Sequence, residues 1–172
     1  LDDGGGNITQ NLAKFIKSAG AETWAGATLP LATPLDLDTY SNISLKTWSP
    51  KIGAVVKVKI ENADASITWE VDMNTTTLNA WEELVYDFSG APAAVYVNLV
   101  VFFDFGVVGD DSVYYFDEIQ VGLGEYIPTQ APSIAIENFE GELPGNFSFG
   151  GVEGIQIVEN PNVSGTNTTA NV

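Results

Sequence analysis

Val56-Lys57-Val58-Lys59-Ile60-Glu61 and, after the break Asn62-Ala63-Asp64, Ile67-Thr68-Trp69-Glu70-Val71-Asp72-Met73 decide the local structure of this chain. Apolar residues take every second position in both runs. That period of two puts Val56, Val58 and Ile60 on one face of a strand and Lys57, Lys59 and Glu61 on the other. Ile67, Trp69, Val71 and Met73 form the apolar face of the second run, against Thr68, Glu70 and Asp72. The shared face places Trp69 in the core.

The same period continues on both sides. Ile43, Leu45 and Thr47 alternate with Asn42, Ser44 and Lys46, and Leu84, Tyr86 and Phe88 alternate with Glu83, Val85 and Asp87. Tyr96 to Phe105 is apolar on both faces, which predicts a central strand, and Val113 to Val121 is a further, aromatic-rich strand. Turn-forming stretches separate them: Ser49-Pro50-Lys51-Ile52-Gly53, Ser89-Gly90-Ala91-Pro92 and Gly109-Asp110-Asp111. The best helical stretch, Ala13 to Ser18, is short and fits a strand as well. Closely spaced strands without a long helical period predict an all-β fold, an antiparallel β-sandwich.

Composition narrows the function classes. The 172 residues suffice for one domain with a sizeable core, and 45% are hydrophobic, so the net charge of −17 does not describe a disordered tail. Six Lys and Arg against 23 Asp and Glu argue against nucleic acid and anionic membranes as partners. The chain has neither Cys nor His, which removes disulfides, His-based zinc sites and Cys–His or His–Asp nucleophilic pairs. No run approaches the ~20 apolar residues of a membrane helix, so no membrane insertion is expected. The sequons starting at Asn7, Asn42, Asn74, Asn146, Asn162 and Asn167 agree with a secreted or cell-surface chain.

The end of the chain echoes its beginning. Asn7-Ile8-Thr9-Gln10-Asn11-Leu12 returns as Asn167-Thr168-Thr169-Ala170-Asn171-Val172, with Gly5 matching Gly165. Read as a repeat, the chain is a window from a tandem array. Residues 1–128 are then a sandwich module lacking its first strands, 129–132 a Pro-containing linker, and 133–172 the N-terminal strands of the following repeat. An incomplete sandwich exposes a bare sheet edge. Residues 133–172 are therefore expected to pack onto 1–128, as a circular permutant or by strand exchange with a neighbouring copy.

Trp81-Glu82-Glu83-Leu84-Val85-Tyr86-Asp87-Phe88-Ser89, Phe102-Phe103-Asp104-Phe105-Gly106 and Tyr114-Tyr115-Phe116-Asp117-Glu118-Ile119 resemble jelly-roll modules of the galactose-binding-like superfamily. These are similar to carbohydrate-binding modules of families 4, 6, 9 and 22, which accompany secreted bacterial polysaccharide-degrading enzymes. Asn138-Phe139-Glu140 resembles the segment that opens such modules, so the resemblance covers nearly the whole chain in permuted order. It implies a jelly-roll sandwich with Trp81 in its core. It also implies a structural Ca2+, with Asp117 as last-strand ligand, Glu140 as first-strand ligand and carbonyls from the Asn162–Gly165 loop. Two carboxylates with backbone oxygens and water can fill a calcium shell. An ordinary pair of strand-end carboxylates is the alternative.

Sugar binding requires aromatic faces for the C–H faces of pyranose rings and polar neighbours for the hydroxyls. Trp24 and Tyr40 lie in irregular stretches, and Trp48 shares the polar side of its strand with Lys46 and Ser44. These three are the expected platform. Lys57, Lys59, Glu70 and Asp72 would supply the polar face of a groove, and a solvated sheet face explains them equally. Asp104-Phe105-Gly106 lacks any accompanying nucleotide loop, Gly4-Gly5-Gly6 lacks the Lys-Ser/Thr of a phosphate loop, and no acidic pair stands in a recognisable catalytic context. Two functions follow. One is a non-catalytic module binding polysaccharide or another glycan through an aromatic groove, with avidity from linked copies. The other is a structural or adhesive repeat of an extracellular stalk or filament.

Overall fold

The computed structural model describes residues 11–122, 133–137, 139–140, 147–152 and 155–160. The echo at Asn7 and Asn167, the linker 129–132 and the Asn162–Gly165 loop lie outside the described residues, apart from Asn11 and Leu12. The described residues contain strands only. β1 (Asn11–Lys17), β2 (Gly26–Pro30), β3 (Asn42–Trp48), β4 (Val55–Asn62), β5 (Thr68–Asn74) and β6 (Trp81–Asp87) come first. They are followed by β7 (Tyr96–Phe103), β8 (Ser112–Gly122), β9 (Ser133–Glu137), β10 (Phe147–Phe149) and β11 (Ile155–Glu159).

Two antiparallel sheets result. One has the order β11-β1-β8-β3-β6, with β9 also on β8, and the other has β10-β2-β7-β4-β5. The all-β antiparallel sandwich expected from the alternation is thus present. The Ala13–Ser18 stretch is strand, since Ala13 and Phe15 are fully buried while Lys14 and Ile16 are not. β7 lies between β2 and β4, which explains why both of its faces are apolar. β2, only five residues long, left no alternating signal of its own.

β8 organises the larger sheet. On one edge it pairs with β3. Its other edge is divided: Ser112 to Phe116 face β1, and Ile119 to Gly122 face β9. Between the halves the strand is irregular, and Glu118 takes a left-handed φ of 47°. The later segments therefore enter both sheets of the same chain, with β9 on β8, β11 on β1 and β10 on β2.

They also enter the core. Phe139 is fully buried and meets Phe116 edge-on at 5.2 Å, and Ile155 is buried beside it in the same cluster. Phe116 in turn packs on Phe103 at 5.3 Å, which stacks on Tyr114 and contacts Phe15, both at 5.1 Å. Each of these rings contributes roughly 1.5–3 kcal/mol by leaving water.

Trp69 departs from its expected place in the core. Its register partner is Ile60, which is fully buried, so the ring faces inward. Yet Trp69 is 38% exposed and Ile67 is 37% exposed, because β5 is the edge of its sheet and the core is open beside it. Trp81 is 6% exposed, as expected of a structural tryptophan, but lies outside the central cluster, on the face of β6 opposite Leu84 and Tyr86.

One end of the sandwich is tied by ions. Lys17 is almost fully buried, and its Nζ donates to the carbonyl oxygens of Phe103 (3.1 Å) and Asp104 (2.7 Å). Lys51 bridges Asp104 (2.6 Å) and Asp110 (2.9 Å). Burial lowers the Lys17 ammonium pKa, against the pull of Asp104. For Lys51 burial acts in the same direction, but the hydrogen bonds to Asp104 and Asp110 outweigh it and raise the pKa. The hydroxyl of Ser112, with Lys51, holds Asp110 down at about 2. Burial pushes the nearby Tyr114 hydroxyl well up.

Candidate functional site

The register places the polar positions of β4 and β5 on the outer face of the five-stranded sheet. Lys57 stands opposite Asp72, and Lys59 opposite Glu70. Across β4 the next strand changes character: Lys57 is opposite Phe102, whose other neighbour Val101 points into the core. β2 then presents Gly26 toward the same outer side, with Phe149 of β10 as its register partner.

These neighbours form a continuous aromatic track. The Trp24 ring stacks on Phe149 at 6.1 Å and 20°. Phe149 meets Phe102 edge-on at 5.7 Å, and Phe102 meets Phe105 edge-on at 5.5 Å. The ammonium of Lys57 sits 4.2 Å from the centre of the Phe105 ring, a cation–π contact. Lys57 also donates to Glu70 Oε1 at 2.6 Å and lies 3.4 Å from Asp72 Oδ1.

Exposure differs along the track. Trp24 is 49% exposed, Phe149 and Phe105 are half-buried, and Phe102 is 7% exposed. The Glu70 and Asp72 side chains are about half exposed, while Lys57 is covered. An open indole face thus stands at one end, and carboxylates with free acceptor capacity stand at the other. Gly26 makes the arrangement possible, because a Cβ there would lie 2.6 Å from the Phe102 ring and 2.9 Å from the Val101 carbonyl oxygen.

The three aromatic residues expected to form one platform are distributed over the molecule. Trp24 joins the track. Tyr40 stands in the β2–β3 connection, where it lines a pocket of about 270 Å³ with Leu31, Pro34, Leu35, Val121 and Ile136. Trp48 belongs to the other sheet, opposite Trp81 and Tyr115, and meets the Tyr115 ring edge-on at 5.5 Å. Its indole N–H is shielded from solvent, and the residue as a whole is half-buried. The three are therefore not brought together: Trp24 stacks on Phe149, Tyr40 lines the pocket beside the core, and Trp48 packs on Tyr115.

The site residues that sequence reading passed over are Phe102, Phe105 and Phe149. A signal for Phe102 was present. Lys57, Lys59, Glu70 and Asp72 make that sheet face polar, so a large aromatic at an outward position of the neighbouring strand stands out. Phe105 lay inside the triplet set aside as a chance motif. Phe149 carried no signal, since its place depends on β10 docking from a distant part of the chain.

Asp117 and Glu140 occupy the junction on the divided edge of β8. Asp117 is fully buried and follows Phe116, the last residue paired with β1, where Ala13 is its partner. Its Oδ1 accepts from the Glu118 N–H at 2.7 Å. Glu140 accepts from the backbone N–H of Asn11 at 2.9 Å and from Asn11 Nδ2 at 3.3 Å, just beyond Ala13. Among the described residues no group of three acidic side chains gathers, so an ion here would take most of its oxygens from the backbone and water.

No family model matches the chain, and no curated protein resembles it in sequence. One solved structure is similar in fold: the apo form of the PbXyn10C CBM, a carbohydrate-binding module, aligns over 94% of this chain and 94% of its own, with 18% identity and a TM-score of 0.55. At that identity the likeness establishes the shared β-sandwich fold.

Proposed function

We propose that this chain is a non-catalytic carbohydrate-binding module of a secreted or cell-surface protein, and that polysaccharide lies along the Trp24–Phe149–Phe102–Phe105 track. One observation carries the reading: a half-exposed indole face is continuous with an aromatic row that ends at the exposed carboxylates of Glu70 and Asp72. Pyranose C–H faces stack on the ring, and hydroxyls donate to the carboxylates. The fold shared with a carbohydrate-binding module supports the same conclusion. Native gel electrophoresis through soluble xylan, mixed-linkage β-glucan and glucomannan tests it. The protein should be retarded in at least one of them, and Trp24→Ala should weaken that retardation on the order of tenfold, while Trp48→Ala leaves it unchanged. Equal retardation of Trp24→Ala and the wild type would place binding elsewhere.

Calcium at the Asp117–Glu140 junction belongs to the same proposal. The fit rests on a buried carboxylate and a second one at the seam where β1, β8 and β9 meet. Bound there, the ion would tie the later segments to the earlier ones and leave the track untouched.

A second reading, a spacer repeat in a stalk or filament, is favoured by a different observation. β9, β10 and β11 fill edges of both sheets, and the same edges would accept the corresponding strands of a neighbouring copy. The chain as a tandem repeat is part of that reading, and the gel experiment separates it from the first.

A further inference from the structure

Three of the four track rings stand between β1 and β8, whereas Phe149 comes from β10. That strand has three residues, lies at a sheet edge and, among the described residues, pairs with β2 alone. The chain leaves it through Gly150 and Gly151, with φ of 76° and 91°. Gly150 packs so closely that a Cβ would lie 2.7 Å from the Ala25 Cα. Its carbonyl accepts from the Glu22 N–H at 2.7 Å. The turn carrying Trp24 and the end of β10 are thus clamped together at their backbones. The Phe149 ring is laid on Trp24 and against Phe102 by that clamp.

We propose that the glycan site is composite and that its occupancy is coupled to the docking of residues 147–151 on β2. This rests on the glycan-binding reading above. A three-residue strand paired on one side has little local stability, so docked and released forms of it lie close in free energy. Released, it takes Phe149 from the track and leaves Trp24 without the ring that backs it. A ligand spanning Trp24 and Phe149 binds the docked form more tightly, and therefore holds the strand down by the same factor. The strand acts as a removable part of the binding face.

The test uses the full chain and the polysaccharide among soluble xylan, mixed-linkage β-glucan and glucomannan that retards it. Hydrogen exchange at the β10 amides reads docking directly, and exchange in β4 and β7 reports on the rest of the fold. Saturating polysaccharide should slow β10 exchange on the order of tenfold. Gly150→Val, which drives a side chain into Ala25 and strains a left-handed residue, should release β10, leave β4 and β7 protected, and lower affinity by a similar factor. Phe149→Ala keeps the glycine turn and should lower affinity alike. Unchanged β10 exchange in saturating polysaccharide overturns the coupling while leaving glycan binding intact. So does wild-type affinity in a Gly150→Val chain whose β10 exchanges freely. Absence of retardation by all three polysaccharides overturns the glycan reading, and the coupling with it.

Discussion

At the scale of single residues, the track depends on one glycine as much as on its aromatics. Gly26 has no room for even a methyl group between the Phe102 ring and the Val101 carbonyl, and the carbonyl cannot yield. Gly26→Ala should therefore destabilise the fold by about 1–3 kcal/mol and tilt Phe102 out of the row. Urea unfolding checks this as a lowered midpoint at constant slope, and an unchanged midpoint would show that the ring moves freely. Trp24 is the opposite case. Its exposed ring supports little of the core, so its removal is expected to affect binding far more than stability. On the sequence, Trp24 and Tyr40 from irregular stretches and Trp48 from the polar side of its strand rank as equals. Nothing local distinguishes an open indole face from one set edge-on against Tyr115, because the neighbouring ring arrives from another strand.

At the scale of elements, β8 and its divided edge hold the molecule together. Phe139 and β9 come from beyond residue 122, yet Phe139 is a fully buried part of the aromatic core. Phe139→Ala should cost about 3–5 kcal/mol, measured by chemical unfolding. A loss below 1 kcal/mol would mean that the later segment is dispensable to the fold. The seam above it makes a further prediction. If calcium binds there, 1 mM CaCl2 raises Tm relative to EDTA, and Glu140→Gln reduces that rise, without MgCl2 substituting for calcium. An identical rise in Glu140→Gln would assign the effect to another site. The resemblance at Asn138-Phe139-Glu140 implies Glu140 and Asp117 as a ligand pair. Only the topology, with β1 and β9 sharing one edge of β8, brings the two to the same seam.

For the whole molecule, the ion cluster at one end contributes to how stability responds to pH. Unfolded tyrosine loses its proton above about pH 10 and unfolded lysine slightly higher. Tyr114, raised by burial, and Lys51, raised by Asp104 and Asp110 against burial, keep their protons in the fold. The unfolded chain then binds fewer protons than the native one, so stability falls as pH rises through that range. Lys17, lowered by burial, opposes this trend. On the acid side, Asp110 contributes stability that is whole above the unfolded carboxylate value of about 3.9 and lost as pH falls toward its own value of about 2. Tm measured across pH should therefore decline on both flanks, and Lys51→Met should flatten the alkaline one. Superimposable curves for the two proteins would remove the cluster from that role.

The period-two pattern determined, from sequence alone, that this chain is a two-sheet antiparallel β protein, because burying one face of a strand imposes a local repeat that survives any arrangement of the strands. It also determined the polar face of Lys57, Lys59, Glu70 and Asp72, and the central, doubly buried character of β7. Strand order, the edge position that exposes Trp69, the insertion of Phe139 and the union of Trp24, Phe102, Phe105 and Phe149 were decided only by the tertiary structure. Those features depend on contacts between residues as much as 125 positions or more apart, such as Phe149 on Trp24. The pairing of such distant segments follows from how sheet edges and cores are completed, and no local window of sequence carries that information.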